Sequence, residues 1–412
     1  MAEKLALLGG KAVRTKSFPI WPRASVLGKK YLNLVVKSNG WGIFRGSRIK
    51  EFGQKFAAYH GAKYGIPCVN ATVALEIQLK ALGVRPGDEV ITTVFSCLPT
   101  ISGILAIGAI PVFVDINERN SIDPNLVEAK ITNRTKVIMP VHLYDSLCDL
   151  DAFRRIARKY KLHLIEDAAQ MPGSFWRGKG VGTIGISGSF SFQEAKIMTA
   201  GEGGIVITNN RELSEIMHAY INCGRVTIGD RTKRRVLGGN YRMNEFQAAL
   251  LLAQLENLKK NTDLRIRNAQ RLNDGINGLP GIRTNLPLPQ STRQAYYFYT
   301  FRFIEEEVGI SRETFIKALN AEGVPTKNTF VPLYRDPLFN MNEYDAPLAW
   351  RYFKKHKLSA KDFPVAEKVS REIVGLWHPL LAGNNSDIDD IVAAIKKVIG
   401  SAHLLKGRNK LI

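Results

Sequence analysis

A single lysine, Lys196, stands between a short apolar run, Gly188 to Phe192, and the glycine turn Gly201-Glu202-Gly203-Gly204, after which a second apolar run, Ile205 to Thr208, begins. An unprotonated lysine amine on its flexible stem forms and releases an imine with a bound carbonyl, so a lysine in this setting is suited to covalent catalysis. Free lysine titrates near ~10.4, and burial or nearby cations must lower that value before the amine is available near neutrality. Leu164-Ile165-Glu166-Asp167-Ala168-Ala169-Gln170 ends another apolar run with an acid at its carboxyl tip. A carboxylate there can hold a heteroaromatic nitrogen protonated and so make a ring an electron sink. Gln170, three residues on, can hydrogen-bond a ring hydroxyl. Val69-Asn70-Ala71-Thr72 closes a strand and opens a helix, where free amides and the helix dipole suit a phosphate. Ser191, five residues before Lys196, adds a second hydroxyl. Each feature has an everyday alternative: a snorkelling surface lysine, a turn-forming aspartate, an ordinary helix cap. The three in this order are far more specific than any one of them.

The elements that must position these groups alternate. Val90 to Val94, Val112 to Asp115, Val137 to Val141 and Leu162 to Glu166 read as buried strands. Between them Thr72 to Leu82, Pro99 to Ile107, Pro124 to Lys130 and Leu150 to Tyr160 read as helices. That order predicts an α/β fold: a mostly parallel sheet covered on both faces, with ligands at the carboxyl ends of its strands. A long helical pattern from Asn244 to about Asn273 follows. After Leu279-Pro280-Gly281 the character becomes mixed α+β, with Ala295 to Phe303 as a strand. This predicts a large domain over residues 1–279 and a smaller C-terminal α+β domain over 280–412.

The 412 residues can bury a large core, and 45% hydrophobic with 23% charged residues is the balance of a soluble globular protein. No apolar run approaches a membrane span, and Met1 to Lys16 has no secretory-signal pattern. Cys68, Cys97, Cys148 and Cys223 fit neither a disulfide framework nor a metal site, so a cytoplasmic protein without a metal is expected. Lysine and arginine number 58 against 37 acidic residues, giving a net charge of +21. The basic residues cluster at Arg154-Arg155-Arg158-Lys159-Lys161, Arg231-Lys233-Arg234-Arg235, Lys354-Lys355-Lys357-Lys361 and Lys406-Arg408-Lys410. No nucleic-acid signature accompanies them, so steering of an anionic ligand is expected rather than nucleic-acid binding.

Asn70-Ala71-Thr72, Glu166-Asp167-Ala168-Ala169-Gln170, Ser191 to Gly204, and Gly239-Asn240-Tyr241-Arg242-Met243-Asn244-Glu245 resemble the successive motifs of the DegT/StrS family of pyridoxal-phosphate aminotransferases. The opening Leu8-Gly9-Gly10-Lys11-Ala12-Val13-Arg14-Thr15, with Phe18-Pro19-Ile20-Trp21-Pro22, is similar to a branch holding scyllo-inosose-type aminotransferases and aminohydroxybenzoate synthases. The likeness runs from about Leu8 to Ile399. It implies the aspartate-aminotransferase-like fold (fold type I) and pyridoxal 5'-phosphate as cofactor. Lys196 is then the Schiff-base lysine and Asp167 the partner of the pyridine nitrogen. Gln170 goes to the ring oxygen, and Ala71, Thr72 and Ser191 to the phosphate. Asn240 would reach the neighbouring subunit's phosphate in a homodimer with shared sites. Trp41, with Gly42, matches a loop near the substrate, and His378 a site-facing carboxy-terminal segment.

The pattern departs from the family at three places. Cys97 stands where an aromatic residue usually covers the cofactor ring, Asp145 where a glycine is usual, and Pro172 where a histidine is common. The resemblance implies a ping-pong reaction that moves an amino group from L-glutamine or L-glutamate to a keto-sugar or ketocyclitol, in aminosugar, aminocyclitol or antibiotic biosynthesis. Two alternatives accompany it: a dehydratase or aromatising synthase of the aminohydroxybenzoate type, and a non-catalytic regulatory protein on the same fold.

Overall fold

In the computed structural model, which describes residues 4–226, 236–327, 329–339 and 342–407, the alternating segments build a seven-stranded sheet. Its strands are β1 (Tyr64–Cys68), β2 (Glu89–Thr93), β3 (Ile110–Val114), β4 (Thr135–Met139), β5 (His163–Asp167), and, beyond the hairpin β6 (Phe175–Trp176) and β7 (Lys179–Gly180), β8 (Ser187–Ser191) and β9 (Gly204–Thr208). The order across the sheet is β1-β9-β8-β5-β4-β2-β3. From β8 to β3 every pairing is parallel, whereas β9 runs antiparallel to both its neighbours. The sheet is mostly parallel, as the sequence predicts. Strands β2 and β3 are buried along their whole length, which is why they read as unbroken apolar runs rather than alternating ones.

Seven helices accompany these strands: α1 (Val26–Ser38), α2 (Arg48–His60), α3 (Ala71–Ala81), α4 (Pro99–Leu105), α5 (Leu150–Tyr160), α6 (Arg211–Ile221) and α7 (Glu245–Ile276). Helix α7 starts where its sequence says it must. The Asn244 side chain accepts from the Gln247 amide at 2.9 Å, and the Gln247 side chain accepts from the Asn244 amide at 3.0 Å. The expected helix over Pro124 to Lys130 is not formed. Two short 3-10 turns, Pro124–Leu126 and Glu128–Lys130, stand there instead. Asp123 caps the first through the Asn125 amide, and Ile131 is already extended, so the segment is too short for a stable α-helix. The basic cluster on α5 lies opposite buried Leu150, Phe153 and Ile156, whereas Arg231, Lys233, Arg234, Arg235, Arg408 and Lys410 lie outside the described residues.

Beneath one face of the sheet, α2 and α7 enclose a cluster of Phe52, Phe56, Phe190 and Phe192, with ring centroids 5.0–5.6 Å apart. Full burial of one such ring stabilises the fold by roughly 1.5–3 kcal/mol. A second core lies around the antiparallel sheet of β10 (Ile282–Thr284), β12 (Phe298–Phe303) and β13 (Ile373–Trp377); the intervening β11 (Ser291–Arg293) joins the β6–β7 hairpin. Phe303 and Phe315 stack at 4.2 Å within it, and Leu5 with Leu272 and Ile276 of α7 pack there as well. Asp145 ties the two parts together. Buried after β4, its carboxylate accepts from the Thr300 amide at 2.6 Å, the Thr300 hydroxyl at 2.7 Å and Asn285 Nδ2 at 3.0 Å. The departure from glycine is a structural clasp.

Candidate active site

The carboxyl ends of the parallel strands converge on one cavity of about 580 Å³. Ala71 and Thr72 open α3 just beyond β1, and Cys97 with Thr100 follows β2. His142 follows β4, Asp167 ends β5 and Ser191 ends β8. Lys196 sits in the turn after β8, and all of these residues line the cavity together with Gln170. The turn back into β9 needs glycine. Gly201 has φ +80°, and a Cβ on Gly204 would lie 2.4 Å from the Asn70 carbonyl carbon, so β9 starts hard against the beginning of α3.

At that helix start, Asn70 Oδ1 accepts from the Val73 amide at 2.9 Å. The cap leaves the amides of Ala71 and Thr72, the first two helical residues, without an intrahelical acceptor, an arrangement suited to an anion. Asp167 is buried, and each of its oxygens receives one hydrogen bond, from the Ala169 amide at 3.1 Å and from Thr100 Oγ1 at 3.0 Å. Burial raises its pKa above the usual carboxylate range, opposed by those two donors and by Lys196. Gln170 Oε1 accepts from the Tyr144 amide at 2.7 Å, which leaves its side-chain NH2 as a donor toward the cavity.

Lys196 Nζ has no hydrogen-bond acceptor among the described residues; it rests over the Tyr297 ring at 4.5 Å. Burial lowers its pKa below the ordinary lysine value, against the pull of Cys97 and Asp167. The site therefore offers an amine that holds its proton less tightly than a free lysine, a fixed acid, a donor amide and a helix start with two free amides.

Not every expected residue lines this cavity. His378 is buried on the far side of the lysine turn, where its Nε2 donates to the Ala195 carbonyl at 3.2 Å and its ring stacks on Tyr297 at 6.1 Å. Trp41 is half exposed beside Phe246 and holds the start of α7 through its carbonyl. Asn240 is exposed, bridged by backbone to Asn222.

Conversely, the cavity includes residues that the sequence reading did not assign. His142 accepts the Cys148 amide on Nδ1 at 3.2 Å, so its Nε2 carries the proton and donates to buried Glu166 at 3.3 Å. Thr100 positions Asp167, and Tyr297 and Phe330 supply the aromatic walls that Cys97 does not. A histidine just past the end of a parallel strand was a signal available in the sequence; nothing local marks Tyr297, which lies a hundred residues from Lys196.

The sequence profile of the DegT/DnrJ/EryC1/StrS aminotransferase family matches residues 28–396, most of the chain. The chain belongs to this family. A Micromonospora echinospora protein, provisionally named as an L-glutamine:3-amino-2,3-dideoxy-scyllo-inosose aminotransferase, is 40% identical over 98% of this chain and 99% of its own length. The L-glutamine:2-deoxy-scyllo-inosose aminotransferase of Streptoalloteichus tenebrarius is 36% identical over 97% and 98%. Among solved structures, 3-amino-5-hydroxybenzoic acid synthase superposes with a TM-score of 0.84 at 30% identity, covering 94% of this chain and all of the other. The fold is thus that of the fold-type-I aminotransferases, and membership makes this chain an aminotransferase rather than a regulatory protein on a borrowed fold. Among the described residues no helix is long and apolar enough to cross a membrane.

Proposed function

We propose that the cavity binds pyridoxal 5'-phosphate and that the enzyme transfers the amino group of L-glutamine to a keto group on a scyllo-inosose-type cyclitol. The carrying observation is the convergence of Lys196, Asp167, Gln170 and the unsatisfied start of α3 in one cavity, in a chain 40% identical to a relative so named. The residues fit the cofactor on their own chemistry. The amides of Ala71 and Thr72 with the hydroxyls of Thr72 and Ser191 suit the phosphate, and the Gln170 amide suits the ring hydroxyl. Asp167 suits the ring nitrogen, Lys196 the aldehyde.

When bound, the cofactor supplies the carbonyl and the electron sink that a transamination needs. Asp167, fixed by Thr100 and Ala169, would hold a proton on the ring nitrogen of the bound group. Lys196 would move a proton from the donor's α-carbon as general base and return one as general acid, and the burial that lowers its pKa favours the unprotonated form this role starts from. His142, anchored to Glu166, forms part of the cavity wall together with Asp167. The face of Tyr297 supports the Lys196 ammonium whenever the amine carries its proton.

The active enzyme is a homodimer in this reading. Phe44 and Leu237, near the exposed Asn240, leave 69% and 94% of their surface uncovered in the single chain, as a surface awaiting a second copy would. Purified enzyme supplied with pyridoxal phosphate, L-glutamine and, in separate reactions, 3-amino-2,3-dideoxy-scyllo-inosose or 2-deoxy-scyllo-inosose should form the aminated cyclitol from at least one of them by mass spectrometry. Donor turnover without any aminated cyclitol would reject the acceptor. Mixing Lys196→Ala with Asn240→Ala chains should restore activity that neither has alone if the sites are shared.

A further inference from the structure

Behind the lysine turn lies a second cavity, of about 450 Å³. Ile197 and Met198, the residues next to Lys196, form part of its wall, with Trp21 and His378 beside them. These aromatic groups pin the turn by its carbonyls: Trp21 Nε1 donates to Glu194 at 3.1 Å, and Trp377 Nε1 and His378 Nε2 both donate to Ala195 at 3.2 Å. The two cavities share no lining residue.

Its lining has a distinct electrostatic character. Among the described residues it holds Arg23 and Arg265 and no carboxylate. Arg265 is only 3% exposed. Its Nη2 donates to Thr262 Oγ1 at 3.2 Å, its Nε has no partner, and no acidic group pairs with it among the described residues. Two other buried cations are matched by carboxylates. Arg14 pairs with Asp387 and Asp390, both at 2.7 Å, and Lys397 with Glu322 at 2.9 Å. Leaving a buried charge uncompensated costs several kcal/mol, and a guanidinium cannot escape by shedding its proton. Burial, reinforced by Arg293, brings the Arg265 pKa down to about 10, still well above neutrality.

We propose that this cavity is a second binding site, for a small carboxylate-bearing molecule whose carboxylate takes the unclaimed N–H groups of Arg265, with Asn261 and Arg23 nearer the solvent. The planar guanidinium fork matches the two oxygens of a carboxylate, and the cavity volume is that of a small-ligand pocket. Occupancy braces the Glu194–Met198 turn and so couples the ligand to the position of Lys196. The inference stands on Arg265 and its surroundings and does not depend on which acceptor the enzyme uses.

Glutarate, which has neither an amino nor a keto group to react, is the probe. Calorimetric titration of the protein purified with pyridoxal phosphate should show binding to the wild type and to Lys196→Ala with affinities within about threefold. Arg265→Gln should weaken it at least tenfold. Asn261→Asp places a carboxylate one helical turn before Arg265, the favourable order for an ion pair on a helix. That variant should lose glutarate binding and melt at a higher temperature, and it keeps the test open if Arg265→Gln does not fold. Undiminished binding by Arg265→Gln or Asn261→Asp, or no binding by the wild type, would overturn the proposal. Loss of binding in Lys196→Ala would place glutarate in the catalytic cavity and overturn it too. Binding of inorganic phosphate in place of glutarate would overturn the carboxylate assignment.

Discussion

Asp145 and Lys196 both carry their charged ends away from bulk water, and the chain treats them in opposite ways. Asp145, at the seam between the two sheets, receives three hydrogen bonds from Thr300 and Asn285. Among the described residues Lys196 rests only against the face of Tyr297. A group that holds parts together has its hydrogen bonds filled, because an unfilled buried group costs ~1–3 kcal/mol. A group that must exchange partners during a reaction is left unfilled, and its surroundings bear the cost. The seam is built for stability, the turn for chemistry.

The contrast is sharpest under substitution. Lys196→Ala should abolish donor turnover, a loss on the order of 10⁴-fold, while the urea midpoint stays near that of wild type. A large fall in stability would mean that Lys196 is structural after all. Asp167→Asn should keep the Thr100 contact but lose the charge, and single-turnover rates with L-glutamine should drop by roughly 10²–10³-fold. Asp145→Ala should do the reverse of both. By stranding Thr300 and Asn285 it should cost about 3 kcal/mol in urea unfolding. The rate per folded molecule should hold within a few-fold; an unchanged midpoint would remove the clasp from the account.

The two regions also differ with pH. Burial outweighs the hydrogen bonds of Asp145 and pushes its pKa up to about 7, from about 4 in an unfolded chain. The folded state therefore holds this proton more tightly. The group's contribution to stability is fully present below about pH 4 and is lost as pH rises through about 7. Asp145→Asn should flatten that part of the stability profile, measured by urea unfolding at a series of pH values. The smallest effect belongs to a helix cap: Asn244→Ala breaks the capping box of α7 and should cost about 1 kcal/mol, with little change in the donor reaction.

What could be read from the sequence follows the same division between local and distant causes. The placement of Lys196, Asp167, Ser191 and Thr72 was legible because each sits at or shortly after the end of a strand whose apolar run announces it, and the topology carries those ends to one side. The α7 start was legible in Asn244 and Gln247, whose reciprocal bonds need three residues of sequence and nothing else. Pro124 to Lys130 misled because proline and apolar spacing suggest a helix that seven residues cannot sustain. Tyr297, Asn285 and the isolation of Arg265 were out of reach. Each is defined by a partner, or by the lack of one, on a different part of the fold. Asp145 shows the limit most plainly: against the family pattern it reads as a defect, and only Thr300 and Asn285 reveal it as a joint.

The central claim is that Lys196 is the residue that bonds the cofactor. Borohydride reduction of the pyridoxal-phosphate-loaded protein, followed by peptide mass mapping, tests it directly. A phosphopyridoxyl group should appear on the peptide that contains Lys196, at close to one per chain, and none on that peptide from Lys196→Ala. Stoichiometric label on a different lysine, or no label on a chain that binds the cofactor, would contradict it.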